Sequence, residues 1–205
     1  MTILRDHPYW HVRSVLMMQP AIAELTLSYY RYVPQTVEDQ RVQIRVPRDD
    51  FFSETHMTTL LADAGQHHEV ALHSVVTLQS GAQRHIPMVD MSTTAKAQLG
   101  KLAAFVDPAQ FGELVWFNSG RSFHGYGTKL LSNEQWIRLM GALLLSNQKD
   151  LKPIVDPRWI GHRLLAGYSA LRWTKNTDFY LGHPSRLLPL TTTAPEQDTP
   201  VLEVA

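Results

Sequence analysis

Residues 113–127 read Glu-Leu-Val-Trp-Phe-Asn-Ser-Gly-Arg-Ser-Phe-His-Gly-Tyr-Gly. The apolar run at their start is typical of a buried strand, which Ser119-Gly120 would interrupt. The glycines that follow let the backbone approach a ligand closely, and the Ser, His and Arg side chains supply hydrogen-bond donors. The segment therefore predicts buried β-structure that leads into a glycine-rich, anion-binding turn.

Positive charge is concentrated around this segment. The whole chain has 19 Lys and Arg residues and 19 Asp and Glu residues, so its formal net charge is zero. Between residues 119 and 175, nine basic residues stand against three acidic ones, which gives this stretch a formal charge of +6. Such a concentration within a neutral chain points to a phosphate-bearing ligand.

The length and composition of the chain limit its class. Its 205 residues suit one large domain or one domain with an appendage. The absence of cysteine excludes disulfides and thiolate metal sites, and it fits a reducing compartment. The chain does not begin with a signal-peptide pattern, and no apolar run approaches the roughly 20 residues that span a bilayer. We therefore expect a cytoplasmic protein without a membrane partner.

Periodicity elsewhere predicts a mixture of strands and helices. Strands are expected over residues 21–33, 40–46, 69–79, 84–90 and from 114. The first two form a hairpin, and Pro87 indicates an edge position or a strand end for the 84–90 strand. Helices are expected over residues 48–65, 92–106, from 133 and from 157, and residues 1–20 should pack their aromatic side chains on the body. Ser132 and Gln135 match a capping box. Because strands and helices do not alternate strictly, we expect an α+β fold with an antiparallel or mixed sheet flanked by helices.

Four side chains are candidates for carrying chemistry. Ser122 and His124 alternate with Phe123, so an extended backbone would present them on one face and direct Phe123 into the core. Such a face suits contact with a polyphosphate, and a surface turn is an equal alternative. Asp90 and Asp156 each precede a predicted helix. Each could therefore hold Mg²⁺ or simply cap its helix.

Basic residues and histidines leave further alternatives open. Arg172 and Lys175 follow a predicted helix, where they could bind phosphate or favour the helix dipole. His67-His68-Glu69 could form a zinc site with His73 or His85, but the spacings match no established zinc motif. A serine hydrolase is not indicated, because the chain has no Gly-x-Ser-x-Gly nucleophile elbow.

The order of these residues resembles the catalytic core of the archaeo-eukaryotic primase superfamily, the primase-polymerases. That family carries an acidic motif at a strand end, then Ser-x-His after a strand, then a hydrophobic residue followed by Asp. This chain has Met88-Val89-Asp90-Met91-Ser92, Ser122-Phe123-His124 and Ile154-Val155-Asp156 in that order. Leu171-Arg172-Trp173-Thr174-Lys175 stands where family members have a basic nucleotide-binding segment. The resemblance spans residues 70–184.

The resemblance implies a fold, a set of sites and a reaction. The fold would be an RRM-like primase palm. Asp90 and Asp156 would hold Mg²⁺ or Mn²⁺ and would act with His124 in catalysis. Phosphates of a nucleoside triphosphate would be bound by Arg121, Ser122, His124, Arg172 and Lys175. The reaction would be attack of a 3′-hydroxyl on an α-phosphate, directed by a single-stranded DNA or RNA template.

One residue departs from the family pattern. Ser92 stands where the family has a second acidic residue, and a two-metal site normally needs several shared carboxylates. Two functions therefore remain open. The chain is either a DNA-directed nucleotidyltransferase that makes or extends primers, or a non-catalytic primase-like subunit that binds nucleotide or nucleic acid. In the second case its partners would be other proteins of a prokaryotic defence or mobile-element complex. An unrelated α+β protein is a third alternative.

Domain boundaries follow from the same patterns. Residues 1–186 are expected to form a single primase-like domain, with a hairpin and helix in residues 1–66 and the motifs in residues 67–186. Residues 187–205 lack hydrophobic periodicity and are expected to be a flexible tail. If the resemblance holds, Asp90, Ser122, His124 and Asp156 should converge on one cleft.

Overall fold

The computed structural model describes residues 2–187 of the chain. Its helices are α1 (Pro8–Met18), α2 (Arg48–Phe52), α3 (Glu54–Asp63), α4 (Ala97–Leu102), α5 (Pro108–Gly112), α6 (Asn133–Leu145) and α7 (Pro157–Ala166). Its strands are β1 (Ile22–Tyr30), β2 (Arg41–Pro47), β3 (Glu69–Leu78), β4 (Gln83–His85), β5 (Met88–Asp90), β6 (Val115–Asn118), β7 (Phe123–Tyr126), β8 (Ala170–Arg172) and β9 (Ser185–Arg186). The predicted tail lies outside the described residues apart from Leu187. Within residues 2–187, none of the helices has the length and apolar character needed to span a bilayer.

The first sheet has the order β2-β1-β3-β4, and β8 also pairs with β3. All of these pairs are antiparallel, and β1 and β2 form the predicted hairpin with Leu27 opposite Ile44. Two short strands pair with different parts of the long strand β3: residues 75–77 pair with β4, and residues 71–73 pair with β8. The second pairing fixes Arg172, which ends β8, opposite Ala71.

The second sheet has the order β5-β7-β6-β9 and is also antiparallel. The prediction of one continuous strand over residues 84–90 is wrong, because the chain leaves the first sheet after β4 and enters the second as β5. Pro87 lies between the two strands, and its lack of an N–H group does not allow a ladder to continue. The Pro87 carbonyl instead accepts a hydrogen bond from Gly127 N at 2.9 Å. This division moves Asp90 into the same sheet as His124.

Helix boundaries differ from the predictions in three places. The expected helix over residues 48–65 divides at Ser53, whose Oγ accepts a hydrogen bond from His56 N at 3.3 Å and caps α3. The expected helix over residues 92–106 is only α4. Residues 8–18 form α1, which was not predicted, although its buried residues Tyr9, Val12 and Leu16 follow helical spacing. The capping box at Ser132 is confirmed.

Buried apolar side chains form two main clusters. The first joins side chains of α1, α2, α3 and the first sheet, with Tyr9 and Trp173 among the largest. The second joins α6, α7 and the second sheet around Trp136. The second sheet contributes to both clusters, since Tyr126 of β7 belongs to the first and Phe123 of the same strand to the second. Both faces of this sheet are therefore covered, which holds its strand ends in place.

Gly125 and Gly127 do not lie in a turn, so this part of the predicted glycine-rich turn is wrong. Gly125 is in β7, where an added Cβ would lie 2.8 Å from the Trp116 ring, and a Cβ on Gly127 would lie 2.7 Å from Pro87. Both distances are shorter than normal van der Waals contact, so packing between neighbouring segments requires glycine at these positions. The turn itself comprises residues 119–122, where Gly120 has a φ of +104°.

Besides His124, three histidines are buried in the fold, namely His7, His73 and His85. Each forms a hydrogen bond with a neighbouring carbonyl or hydroxyl group. Burial lowers the pKa of His7 and of His85 to about 4, and it lowers the pKa of His73 to about 3. All three are therefore neutral in the folded protein at neutral pH.

We expect the free energy of unfolding to fall as the pH drops from about 6.5 toward 4, because the unfolded histidines bind protons that the folded ones do not. Each such histidine contributes a slope of up to about 1.4 kcal/mol per pH unit, so His85→Gln should lower the measured slope by up to this amount. Urea unfolding between about pH 7 and 5 measures the slope. His56→Gln, at an exposed helix position, is the control. An equal slope in all three proteins would contradict the prediction.

Candidate active site

Asp90 lies at the centre of the candidate site. It ends β5 and is paired with His124 of β7 in the antiparallel register. Its Oδ1 lies 3.6 Å from His124 Nε2, and Ser122 Oγ donates a hydrogen bond to the same oxygen at 3.4 Å. Ser122 and His124 thus share one face of the strand, whereas Phe123 is buried in the second cluster. This is the alternation expected from the sequence.

Asp156 lies beside Asp90 through a backbone contact. Its N–H group donates a hydrogen bond to the Asp90 carbonyl at 3.0 Å. Its Oδ1 accepts hydrogen bonds from Arg158 N at 2.8 Å and Trp159 N at 3.2 Å, so it caps α7. The cap uses one of the two carboxylate oxygens. The two interpretations of Asp156, as a helix cap and as a residue of the site, are therefore compatible.

The carboxyl group of Asp90 is affected by its burial and by the charge of Asp156. Burial, followed by the charge of Asp156, raises the pKa of Asp90 to about 8. Ser122, Arg172 and Arg163 oppose this rise without reversing it. Without a cation, Asp90 is therefore largely protonated at neutral pH, and a bound cation would favour its charged form.

The donor set fits one divalent cation. Carboxylate oxygens are the ligands that Mg²⁺ and Mn²⁺ prefer, and a cation would relieve the repulsion between Asp90 and Asp156. The part of the chain that the structure describes contains no group of three or more His, Asp or Glu side chains placed to hold a metal ion. Asp90 and Asp156 would therefore supply two ligands, and water or substrate oxygens would supply the others.

His124 is buried and neutral. Burial, and then the nearby charge of Arg172, lowers the pKa of His124 to about 3. Its Nδ1 atom is buried and has no hydrogen-bond partner within residues 2–187. A neutral imidazole carries one donor and one acceptor nitrogen, so one hydrogen-bonding position of His124 remains to be satisfied. An unsatisfied buried polar atom in a cleft is a feature expected of a ligand site.

The site opens into a cleft of about 570 Å³. Most of the predicted site residues line it: Asp90, Arg121, Ser122, His124, Asp156 and Arg172. Ser92 also lines the cleft, and it is exposed. Lys175 is exposed and is not part of the lining. The structure therefore brings together all the predicted site residues except Lys175, and their roles stay predictions.

Arg172 is placed differently from the sequence interpretation, which put it after a helix as a phosphate ligand or a helix-dipole charge. It is buried in β8. Its Nη1 donates hydrogen bonds to the carbonyls of Thr174 and, at 3.2 Å, of Gly182, and its Nη2 donates to the carbonyl of Ser119 at 2.6 Å. Its guanidinium also lies 4.0 Å from the centroid of the Tyr180 ring. Arg172 therefore holds together two loops of the cleft wall, with Nε still unpaired among the described residues.

Other lining residues were not assigned a role from the sequence. Asp39 follows the end of β1 in the 31–40 loop, and Arg41 and Arg163 form ion pairs with it. Tyr32 and Phe179 lie at the rim with ring centroids 4.9 Å apart. Tyr32, Asp39 and Phe179 lie in loops, where hydrophobic periodicity makes no prediction. Periodicity could have identified Arg163 as an inward-facing residue, because it lies three positions after the buried Ile160 in α7.

Comparison with known families agrees with this geometry. A model of the AEP-like family, described as archaeo-eukaryotic primase 1D-like, matches residues 49–185. The chain belongs to the AEP-like family. The matched region includes all three motif segments and covers more than half of the 205 residues. No curated protein and no solved structure matches the chain.

Membership of the AEP-like family confirms the predicted resemblance and fold class. The AEP-like chain has a primase-like core in which antiparallel sheets are flanked by helices, as a primase-like palm requires. The match does not by itself assign catalysis, a metal or a partner. Those assignments depend on the residues of the cleft.

Replacing Arg172 in the AEP-like chain should mainly affect stability. Arg172→Ala leaves three carbonyl groups without their donor, so we expect the free energy of unfolding to fall by about 3 kcal/mol or more. Lys175→Ala changes an exposed side chain and should cost less than about 0.5 kcal/mol. Urea unfolding of both variants measures the difference. Similar small effects for the two would show that Arg172 does not hold the loops.

Proposed function

We propose that this chain is the nucleotidyltransferase core of a primase-polymerase, which binds a nucleoside triphosphate and a single-stranded template and makes or extends primers. The observation that carries the proposal is the convergence of Asp90, Asp156, Ser122 and His124 on one cleft in a chain of the primase-like family. The volume of this cleft, about 570 Å³, is in the range typical of small-molecule sites.

In this proposal, some residues of the cleft bind the triphosphate and others bind the metal ion. Ser122, His124 and the exposed Arg121 would donate hydrogen bonds to the triphosphate and so align its α-phosphate with the 3′-hydroxyl of a primer. Asp90 and Asp156 would hold Mg²⁺ or Mn²⁺. When bound, the cation supplies positive charge that stabilises negative charge on phosphate oxygens. The 3′-oxygen would attack the α-phosphate, and pyrophosphate would leave.

The rim of the cleft supports a nucleic-acid partner. Tyr32 and Phe179 are 44% and 42% exposed, although they line the cleft and touch each other edge to face. Exposed aromatic rings beside positive charge form stacking platforms for unpaired bases. Arg31, Arg121 and Arg158 supply that charge on the same lining. An unpaired template base or the base of the incoming nucleotide would suit this rim.

A non-catalytic subunit is the second candidate, and a specific observation favours it. Ser92 replaces the second acidic residue of the first motif, and the described residues provide no set of three metal-binding side chains. Such a chain would bind nucleotide or nucleic acid within a larger complex, such as one of prokaryotic defence or of a mobile element. The cleft would then recognise phosphate and base without joining nucleotides.

Primer synthesis tests the first candidate. The protein is incubated with single-stranded DNA, labelled nucleotides and Mg²⁺ or Mn²⁺, beside Asp90→Ala and the control Asp63→Ala. Asp63 is an exposed residue outside the cleft. We expect product from the wild type and the control, and a loss of about a hundredfold or more in Asp90→Ala, because a metal ligand is removed. Wild-type protein that binds nucleotide or DNA but gives no product would support the second candidate instead.

The aromatic rim makes a separate prediction about binding. Tyr32→Ala and Phe179→Ala should each weaken the affinity for single-stranded DNA by about 5-fold to 100-fold, because each removes a stacking surface. Tyr32→Phe retains the ring and should bind like the wild type. Phe105→Ala is the control, since Phe105 is an exposed phenylalanine that does not line the cleft. Fluorescence anisotropy with a labelled oligonucleotide measures the affinities. Equal affinities for the wild type and both alanine variants would show that Tyr32 and Phe179 do not contact the DNA.

A further inference from the structure

Arg163 of α7 is a buried cation whose hydrogen-bonding capacity is mostly unused. The residue is 2% exposed, yet it lines the cleft. Its Nη2 donates to Asp39 Oδ2, whereas Nε and Nη1 are buried and have no hydrogen-bond partner within residues 2–187. Three of its five N–H groups are therefore unsatisfied. Leaving buried donors without acceptors is costly, so these groups call for an acceptor that enters through the cleft.

Arg41 adds a second guanidinium to the same place. Its Nε donates to both oxygens of Asp39, at 3.0 and 2.8 Å, and its Nη1 donates to Ser28 Oγ at 3.1 Å. The Arg41 side chain is nearly buried and lies 4.2 Å from the centroid of the Tyr30 ring. The contacts with Asp39, Ser28 and Tyr30 hold the Arg41 guanidinium in place on the cleft lining.

The charges of this cluster do not balance. Two arginines, Arg41 and Arg163, share the single carboxylate of Asp39. Burial raises the pKa of Asp39, but the two guanidiniums outweigh it and hold that pKa below its usual value. Asp39 is therefore ionised, and one positive charge remains uncompensated in a largely buried position. An excess buried charge is unfavourable by itself, and it becomes favourable when an anion arrives.

The cluster lines the same cleft as Asp90 and Asp156, the carboxylates of the proposed metal site. Arg163 and Arg172 line the same cleft as Asp90, and the charge of each lowers the pKa of Asp90 against the larger effect of burial. They differ in availability, because Arg172 is bonded to three carbonyls of the cleft wall and Arg163 is bonded only to Asp39. Of these two residues, Arg163 has the larger capacity to bind a ligand.

We propose that Arg163 and Arg41 form a phosphate subsite of the cleft, and that the Asp39 carboxylate occupies it until a ligand phosphate takes its place. The inference rests on the proposed function, since it names where a phosphate of the nucleotide binds. A phosphate suits the subsite because its oxygens can accept from two guanidinium forks at once. Asp39 belongs to the 31–40 loop, so its carboxylate can withdraw without disturbing a strand.

The experiment measures binding of inorganic tripolyphosphate by calorimetry without divalent cations. Arg163→Gln should weaken binding by about tenfold or more, because hydrogen bonds to charged groups are lost. Asp39→Asn should tighten it by several-fold, because the competing carboxylate is removed. The gain from Asp39→Asn should be smaller when Arg163→Gln is also present, because Asp39 then competes with phosphate only for Arg41.

Two controls make the same charge changes elsewhere. Arg138→Gln removes an exposed arginine outside the cleft and should leave binding unchanged. Glu38→Gln removes a negative charge next to Asp39 that is on the cleft lining, and it should have a smaller effect than Asp39→Asn. Thermal unfolding confirms that each variant is folded. If Arg163→Gln does not fold, the comparison of Asp39→Asn with Glu38→Gln still decides the matter.

The outcomes separate this subsite from the proposed function. Equal tripolyphosphate affinities for wild type and folded Arg163→Gln would overturn the subsite, as would Asp39→Asn that binds no more tightly than Glu38→Gln. If primer synthesis is observed with either result, the function stands and only the subsite fails. If the affinities shift in opposite directions but the wild type makes no primer, the subsite stands within a non-catalytic module.

Discussion

β5 and β7 pair antiparallel with Asp90 opposite His124, and the rest of the site depends on this pairing. It brings Ser122 and His124 to the same oxygen of Asp90. The Asp90 carbonyl then accepts the Asp156 N–H group, which places the start of α7 beside the strand end. Backbone hydrogen bonds thus position every motif residue before any ligand binds. Groups that are already in position can stabilise charge on a bound ligand without the cost of rearranging the site.

The cleft contains buried charged groups that reduce the stability of the fold and that a ligand of opposite charge would compensate. Burial and then the charge of Asp156 raise the pKa of Asp90, and Arg163 on the same cleft lining has buried donors that residues 2–187 leave unsatisfied. Neither arrangement stabilises a fold by itself, because buried charges without partners are costly. A divalent cation held by Asp90 and Asp156 would favour their charged forms, and a phosphate bound by Arg163 would satisfy those buried donors. These two features are the reason that we propose a metal-bound nucleotide as the ligand of the cleft.

Arg172 and Arg163 show why residue type alone does not assign a role. Both are buried arginines on the cleft lining. The resemblance assigned phosphate binding to Arg172, but most of its donors already join the loops around Ser119 and Gly182. Arg163 lies on a helix rather than in a motif and keeps most of its donors available. Only the hydrogen-bond partners distinguish a residue that builds the cleft from one that can bind within it.

The sequence by itself determined the local features: the first hairpin, the caps at Ser132 and Asp156, the alternation around Phe123, and the family. Periodicity and contacts between residues a few positions apart specify the hairpin, the caps and the alternation, whereas the order of the motifs along the chain indicates the family. The tertiary structure alone decided the division of the chain at Pro87, the packing that requires Gly125, and the ion pair between Asp39 and Arg163, which are 124 residues apart. Contacts across such separations depend on how sheets and helices pack, and local periodicity or spacing in the sequence does not reveal that packing.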